Sequence, residues 1–257
     1  MAKNKDRTSD PHIEFAKASH KHAGLPVPSL VARPEGMSDG NFVLMDRSVA
    51  AGQSSSIGNA FRDLRYPVQQ IYLHNNQLSG SQLATLLRSL SDAQRSGLKS
   101  IVYGGRNELD QEAYEVLRDL YLSKRAPPLL ELKLVDTKMK DPGILRAMLG
   151  DLNNEMRLQS LSLAKVYLDP GSIELVGSLL AKKLPSFKDL DLSWNQIGTA
   201  GMKALCQSLR GNQQVRSLSL AFNPVATTDD LEELGYFMRH NSCLEHLDLS
   251  GVLQTAA

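Results

Sequence analysis

LDLSWNQIGTAGMKALCQSL, the stretch from Leu190 to Leu209, contains the two patterns that decide the fold. Leu190 and Leu192 alternate with polar residues, which predicts a short strand with one buried face. A bend follows at Asn195, and the leucines after it recur at helical spacing, which predicts an amphipathic helix. The stretch therefore predicts one strand–bend–helix unit.

The same leucine pattern returns seven times along the chain, at intervals of 28 to 31 residues. A fixed period in this range is typical of a solenoid, whose repeats stack because no single repeat can bury its apolar face alone. Because a helix joins each strand to the next, the strands must run parallel in one sheet. The seven copies begin at Val68, Leu98, Leu129, Leu158, Phe187, Val215 and Leu244.

Asparagine recurs at the ninth position of the pattern, as Asn76, Asn195 and Asn223. An amide side chain both donates and accepts, so a stack of such side chains can satisfy the backbone groups of the bends. Thr137 and Val166 take this place in the third and fourth copies, and Asn107 sits one residue late in the second. We expect less regular bends there.

Helix start signals follow the bends. Asp141-Pro142 and Asp169-Pro170 each combine an N-cap residue with proline at the first helical position. The caps expected elsewhere are Ser79, Asp110 and Thr199 or Thr228.

The whole pattern, LxxLxLxxNxI followed by GxxxLxxxL, resembles the ribonuclease-inhibitor type of leucine-rich repeat. The resemblance covers roughly Val68 to Val252 and implies an α/β solenoid shaped as a horseshoe, with about seven repeats, a parallel concave sheet and convex helices. It implies little about function, since this fold serves inhibitors, receptors, GTPase activators and structural proteins alike. The inhibitor itself is cysteine-rich, whereas this chain has two cysteines.

Three segments are predicted. Residues 1–41 are rich in proline, glycine, serine and mixed charge, which favours an extended or disordered arm. Residues 42–67 combine a short apolar run with a helical pattern, and we interpret them as a degenerate capping repeat. Residues 68–257 form the predicted solenoid.

Composition excludes several functional classes. The net charge of +1 gives no reason to expect nucleic acid or a membrane surface as partner. No run of about 18 apolar residues exists, and the N-terminus lacks the features of a targeting segment, so a soluble cytoplasmic protein is expected. No catalytic, metal-binding or cofactor motif occurs, so we expect neither an enzyme nor a cofactor.

Side chains between the buried leucines are expected to face the concave surface and to bind protein. Acidic side chains predominate in its C-terminal half, which favours a basic partner segment. Trp194 and Phe222 hold the same repeat position, and two interpretations stay open for them: packing over the bend, or contact with a partner. The candidate binding residues are Tyr72, His74, Glu131, Lys133, Asp136, Lys165, Asp189, Asp191, Trp194, Phe222, His246 and Asp248.

The last predicted strand has no helix after it, which leaves Leu244, Leu247 and Leu249 at a sheet edge. Three explanations stay open: the tail folds over the edge, the sequence is incomplete, or a partner covers it.

These features together predict a non-catalytic scaffold for protein–protein interaction. We expect a structural subunit of a larger intracellular assembly, with cilium and cytoskeleton as candidate settings. The alternatives are a GTPase regulator of the Ran-activator type and a component of a ribonucleoprotein particle.

Overall fold

The computed structural model describes residues 41–46, 48–63, 68–122, 129–139, 141–152, 157–182, 184–223 and 228–252. Within these ranges, eight parallel strands form one sheet in the order β1-β2-β3-β5-β7-β8-β9-β10, and β4 pairs with β6 in a second, smaller sheet. The strands are β1 (Asn41–Met45), β2 (Gln70–His74), β3 (Ser100–Gly104), β4 (Glu108–Leu109), β5 (Glu131–Val135), β6 (Lys138–Met139), β7 (Ser160–Ser162), β8 (Asp189–Asp191), β9 (Ser217–Ser219) and β10 (His246–Asp248).

A helix follows each strand of the main sheet except β10 in the described part of the chain. The helices are α1 (Ala51–Asp63), α2 (Gly80–Arg88), α3 (Asp92–Gly97), α4 (Gln111–Tyr121), α5 (Pro142–Asp151), α6 (Pro170–Ala181), α7 (Thr199–Arg210) and α8 (Thr228–His240).

The buried leucines of the pattern stack from strand to strand. Leu161, Leu190 and Leu218 are paired in register across β7, β8 and β9, and each is at most 2% exposed. Leucines from the inner sides of the helices, such as Leu179 and Leu205, join the same core. The predicted leucine-rich-repeat solenoid, with its helices on one face of a parallel sheet, is confirmed.

An eighth strand precedes the seven predicted copies. β1 pairs in parallel with β2, residue for residue, and α1 follows it; apart from Asn41, both elements lie within the segment interpreted as a capping repeat. Asn41 is the first residue of β1 rather than the last of an arm; the rest of the predicted arm lies outside the described residues. The division of the chain into three segments stays a prediction.

Buried asparagine side chains connect neighbouring bends. The Asn195 carboxamide oxygen accepts hydrogen bonds from the backbone N–H groups of Val166 (3.0 Å) and Leu168 (3.4 Å) in the preceding repeat. Its amide nitrogen donates to the backbone carbonyl of Leu163 at 2.7 Å. Asn223 does the same for the bend at Asn195, accepting from the N–H groups of Asn195 and Ile197. These two bends are thus satisfied by the repeat that follows each of them.

We call this series of hydrogen bonds from asparagine side chains to neighbouring bends the asparagine ladder. Asn107 takes part in it although it stands one residue later in the pattern than Asn195 and Asn223. Its oxygen accepts from the backbone N–H groups of Asn76 and Leu78, both at 3.0 Å, and its nitrogen donates to the carbonyl of Leu73. Asn107 therefore makes the same hydrogen bonds to the preceding repeat as Asn195, and the expectation of a less regular bend is wrong in this respect.

The ladder is interrupted at the next two copies, as expected. Of the hydrogen bonds that an asparagine makes at this position, the short Thr137 side chain makes one, from its hydroxyl to the carbonyl of Tyr103. The Val166 side chain has no polar atom and makes none. Between the second and third copies the small sheet forms instead: β4 and β6 pair Glu108 with Lys138 and Leu109 with Met139. Backbone pairing thus replaces side-chain bonds at this point.

A second asparagine pair, which the sequence analysis did not single out, connects the helix-to-strand turns of the C-terminal repeats. Asn212 donates to the carbonyl of Leu180 and accepts from the N–H group of Val215. Asn241 donates to the carbonyl of Leu209 and accepts from the N–H group of Leu244. These repeats are therefore bonded to each other at both ends of their strands.

Every repeat has a residue with left-handed backbone geometry just after the strand, and its φ is between 53° and 67° in all eight cases. Three repeats have a second such residue two positions later, at Gln77, Tyr167 and Gln196. This conformation is sterically costly for residues with a Cβ atom. We call this series the bend row: Asp46, Asn75, Gly105, Asp136, Lys165, Trp194, Phe222 and Gly251.

Most predicted helix caps are confirmed. Ser79, Asp110, Asp141 and Asp169 each accept a backbone N–H with their side chains. The prediction of Thr199 is wrong, because α7 starts one residue earlier than expected.

The α7 N-cap is Gly198, whose backbone is extended and which has no side chain to bond the helix. Thr228 is the first residue of α8. The short α3 was not predicted.

We expect Asn195→Ala to lower the free energy of unfolding by about 3 kcal/mol, because it leaves two buried backbone donors without their acceptor. Urea unfolding followed by circular dichroism measures this. Gln213→Ala, at an exposed amide, is the control and should stay within about 0.5 kcal/mol of wild type. Equal stabilities of the two variants would contradict the role of the ladder.

Candidate functional site

The structure places the twelve predicted binding residues in two groups, and none of them is fully buried. Four belong to the bend row. The other eight lie on strands of the main sheet, at positions that alternate with the buried leucines, and therefore on the face opposite the helices. This is the concave face. Three other side chains at such alternating positions are buried among their neighbours on this face: Ser100, Val102 and Ser162, at 8%, 4% and 3% exposure.

Opposite charges cancel in the middle of this surface. The Lys133 ammonium lies 2.7 Å from the Glu131 carboxylate, and Lys165 lies 3.0 Å from Asp136 in the bend row. Burial raises the pKa of Glu131, but hydrogen bonds from Lys133 and from Ser100 outweigh it and hold that pKa below its usual value. The acids predicted here thus have cationic partners within the chain.

The carboxylates nearer the C-terminus are held by hydroxyl and backbone donors instead. Asp191 accepts from the hydroxyl of Ser162 at 2.8 Å and from both the N–H and the hydroxyl of Ser193. Asp248 repeats this arrangement with Ser219 and Ser250. Hydrogen bonds from the side chain and backbone of Ser250 lower the pKa of Asp248, so it carries full negative charge at neutral pH.

Asp189 is exposed and forms no ion pair with any residue that the structure describes. The C-terminal half of the concave face therefore keeps a net negative charge, as predicted. The serines that hold the other two carboxylates were missed at the sequence level. The signal was present: Asp–Leu–Ser occurs at both Asp191 and Asp248, with a serine at the matching position of the preceding strand.

Two aromatic residues of the bend row stack beside these acids. The rings of Trp194 and Phe222 are 3.9 Å apart between centroids and inclined by 16°, which confirms that they lie side by side. They remain 51% and 41% exposed. A Cβ atom at the next bend-row residue, Gly251, would come within 2.6 Å of the Phe222 ring, so the missing side chain there makes room for the stack.

We name the combined surface the aromatic–acidic patch, and it covers β8, β9, β10 and their bends. It presents a flat aromatic surface next to negative charge, which suits guanidinium or ammonium groups. Its members are Asp189, Asp191, Trp194, Phe222, His246 and Asp248.

Tyr72 and His74 lie at the other end of the concave face. Their rings are 6.2 Å apart and tilted by 44°. Three strands lie between β2 and β8, a separation of about 19 Å at roughly 4.8 Å per strand, so these two residues do not form one site with the patch. The predicted residues therefore do not converge on a single point.

β10 pairs on one side with β9. Leu247 in this strand, and Leu244 and Leu249 beside it, are partly buried against the core. A partner at the other side of β10 stays a prediction. Most of the predicted tail, from residue 253 on, lies outside the described residues.

Among the described residues, no group of three or more His, Cys, Asp or Glu side chains is placed to hold a metal ion. No described helix has the length and apolar character needed to cross a membrane.

Trp194 offers a test of both the stack and the backbone. We expect Trp194→Ala to destabilise the protein by about 1 kcal/mol through loss of the aromatic pair. Trp194→Gly should be the more stable of the two variants by about 1 kcal/mol, because glycine adopts the left-handed backbone without steric cost. Urea unfolding midpoints measure the order, and an alanine variant as stable as the glycine variant would refute the strain at this position.

Known proteins show the same repeat. A family model described as Leucine Rich repeat matches residues 183–206, which contain β8 and the bend at Trp194. Ribonuclease inhibitor of Sus scrofa is 30% identical over 138 residues, which are 53% of this chain and 30% of the inhibitor. Ribonuclease inhibitor of Mus musculus is 34% identical over 123 residues, 48% of this chain and 26% of the inhibitor.

A human relative, NACHT, LRR and PYD domains-containing protein 12, is 32% identical over 110 residues, 42% of this chain and 10% of its own length. The matched regions thus span less than a third of these relatives. Among solved structures, the leucine-rich repeat-containing protein LegL7 of Legionella pneumophila is 15% identical with a TM-score of 0.47, over 94% of this chain and 87% of that one.

The repeat pattern, the parallel sheet with helices on one face and the matched relatives agree with one another. The chain is a leucine-rich-repeat protein, and its repeats are similar to those of ribonuclease inhibitor.

Proposed function

We propose that this chain is a non-catalytic scaffold that binds other proteins on its concave face, with the aromatic–acidic patch holding a basic segment of the partner. The observation that carries the proposal is the exposed Trp194–Phe222 stack next to carboxylates that have no cationic partner among the described residues. Tryptophan is enriched at the energetic centres of protein interfaces.

The charge distribution supports a basic partner specifically. In the middle of the concave face, lysines already neutralise Glu131 and Asp136. In the patch, Asp191 and Asp248 receive hydrogen bonds from neutral donors, which fix the carboxylates without cancelling their charge. A lysine or arginine from a partner would neutralise these carboxylates and would stack on the Trp194 ring.

The relatives support the general class. The two ribonuclease inhibitors act, by their name, on another protein. This chain matches less than a third of their length, so the proposal is limited to protein binding and does not extend to ribonucleases.

We propose a cytoplasmic structural subunit of a larger assembly as the setting, with cilium and cytoskeleton as candidates from the sequence. No contact among the described residues favours the Ran-activator or ribonucleoprotein alternatives.

The patch can be tested by capture and cross-linking. The tagged full chain is incubated with native extract, cross-linked with a lysine-reactive reagent and analysed by mass spectrometry. We expect Asp189→Lys to reduce the captured partner at least tenfold through charge repulsion, and Trp194→Gly to do so through loss of the aromatic surface. Cross-links should map a lysine-rich or arginine-rich partner segment near β8 to β10.

Glu174→Lys is the matched control, because Glu174 is an exposed carboxylate on α6, on the helical side of the sheet. It should capture the partner as wild type does. Recovery of the protein alone, or equal loss in all three variants, would count against the patch. A captured GTPase whose GTP hydrolysis rises in the presence of this chain would favour the Ran-activator alternative instead.

A further inference from the structure

The β10 end of the solenoid exposes apolar positions that the preceding repeat buries. Leu218 of β9 is 1% exposed, whereas Leu247, which lies 29 positions later in β10, is only partly buried. The same step of 29 residues relates Leu209 of α7, which is 1% exposed, to Met238 of α8, which is 51% exposed. We call this surface the end face, and its members are Met238, Leu244, Leu247 and Leu249.

The core positions at the opposite end of the main sheet are covered. Phe42 and Leu44 of β1 are buried, and so are Ile57 and Phe61 of α1. The rings of Phe42 and Phe61 pack edge to face, with their centroids 4.5 Å apart. The core is therefore closed at β1 and open at β10.

The backbone of β10 also presents hydrogen-bonding groups at this end. The His246 N–H donates to the carbonyl of Arg216, and the Asp248 carbonyl accepts from the N–H of Leu220, both at 2.9 Å. These two residues thus direct their backbone groups toward β9 and its flanks. Because successive residues of a strand direct these groups to opposite sides, the N–H and C=O of Leu247 point away from β9. An edge of this kind pairs readily with another strand.

The sequence around Leu247 is complementary to itself in antiparallel pairing. With a two-fold axis beside Leu247, this residue lies opposite Leu247 of a second copy, and the two exchange both N–H···O=C bonds. His246 then lies opposite Asp248 of the second copy, in the type of pair whose side chains approach most closely. Both side chains are exposed on the concave face. An imidazole N–H donates to a carboxylate, and the symmetry forms this contact twice.

We propose that this chain forms a two-fold symmetric homodimer through antiparallel pairing of β10, with His246 of each copy bound to Asp248 of the other. The axis is perpendicular to the sheet, so the helices of both copies lie on the same side. There the Met238 side chains and the leucines of the two end faces cover each other. The alternative of β10 against β1 of a next copy leaves the chain ends of the assembly unclosed and meets an end whose core is already covered.

The dimer joins two concave faces into one surface. Trp194 and Phe222 follow β8 and β9, away from the axis, and stay open in both copies. Two aromatic–acidic patches therefore lie side by side. The dimer rests on β10 and the end face alone and does not depend on the proposed function.

The size of the contact sets the expected affinity. One strand and one helix from each copy form a smaller contact than the interfaces of stable dimers, which bury roughly 1,200 Å² or more. We therefore expect a dissociation constant in the micromolar range.

Sedimentation equilibrium of the full chain over micromolar concentrations tests the proposal. The wild type should fit a monomer–dimer equilibrium with no larger species. His246→Asp places like charges opposite each other and should weaken the dimer at least tenfold. Asp248→His should also weaken it, whereas the double variant with both changes restores the opposite pairing and should recover most of the wild-type affinity. A merely structural role of these residues does not produce such recovery.

Met238→Lys tests the end face separately, because it places two ammonium groups beside the apolar contact. It should weaken the dimer at least tenfold, and its urea unfolding midpoint at a concentration where wild type is monomeric should stay that of wild type. Met45→Lys is the matched control, since Met45 is an exposed methionine on β1 at the other end of the sheet. Met45→Lys and Trp194→Gly should dimerise as wild type does.

A wild type that stays monomeric at all concentrations would overturn the proposal and would leave residues 253–257 or a different protein as the cover of the end face. Larger species that Met45→Lys abolishes would show head-to-tail assembly and would overturn it as well, as would a dimer that tolerates both His246→Asp and Met238→Lys. Trp194→Gly is expected to lose partner capture and to keep the dimer, so the two proposals can fail separately.

Discussion

The structure depends on how its bends are hydrogen-bonded. Each chain reversal after a strand leaves backbone N–H and C=O groups inside the protein, where an unsatisfied group is costly. Asn107, Asn195 and Asn223 satisfy these groups for the preceding bend. Asn195 and Asn223 also donate to carbonyls of their own repeats. Because the backbone N–H groups of each of these bends find their acceptor in the next repeat, no such repeat is complete alone, and the solenoid is held by bonds between repeats as well as by the leucine core.

The bend geometry also determines what the surface can present. A left-handed residue follows every strand of the main sheet, so each repeat, except those with Gly105 and Gly251, places one side chain at the same position on the rim. Neighbouring members of the row therefore interact in pairs: Asn75 donates to Asp46, Lys165 pairs with Asp136, and Trp194 stacks on Phe222. Gly105 leaves a gap between the first two of these pairs, and the aromatic–acidic patch is built on the last of them.

Periodicity in the sequence was enough to predict the fold, since the alternation of Leu190 with Leu192 and its six counterparts determines both the strand and its buried face. The stacking of Trp194 on Phe222 followed from their shared repeat position. The small sheet of β4 and β6 did not, because Thr137 and Val166 show only that the ladder is interrupted, not what replaces it. The hydrogen bonds from serines to Asp191 and Asp248 were also missed. Ser162 and Ser219 bind carboxylates that belong to the next strand, and such a pairing cannot be seen when each repeat is considered alone.

The left-handed geometry of the rim restricts the variation that the chain can tolerate. Charge and size are free to change there, as Asp46, Lys165 and Trp194 already differ in both. Branching at Cβ is not, because valine, isoleucine and threonine are genuine outliers at positive φ. Homologous chains with the same bends should therefore diversify their binding preference through unbranched, aromatic or glycine residues at these eight places while the leucines behind them stay fixed.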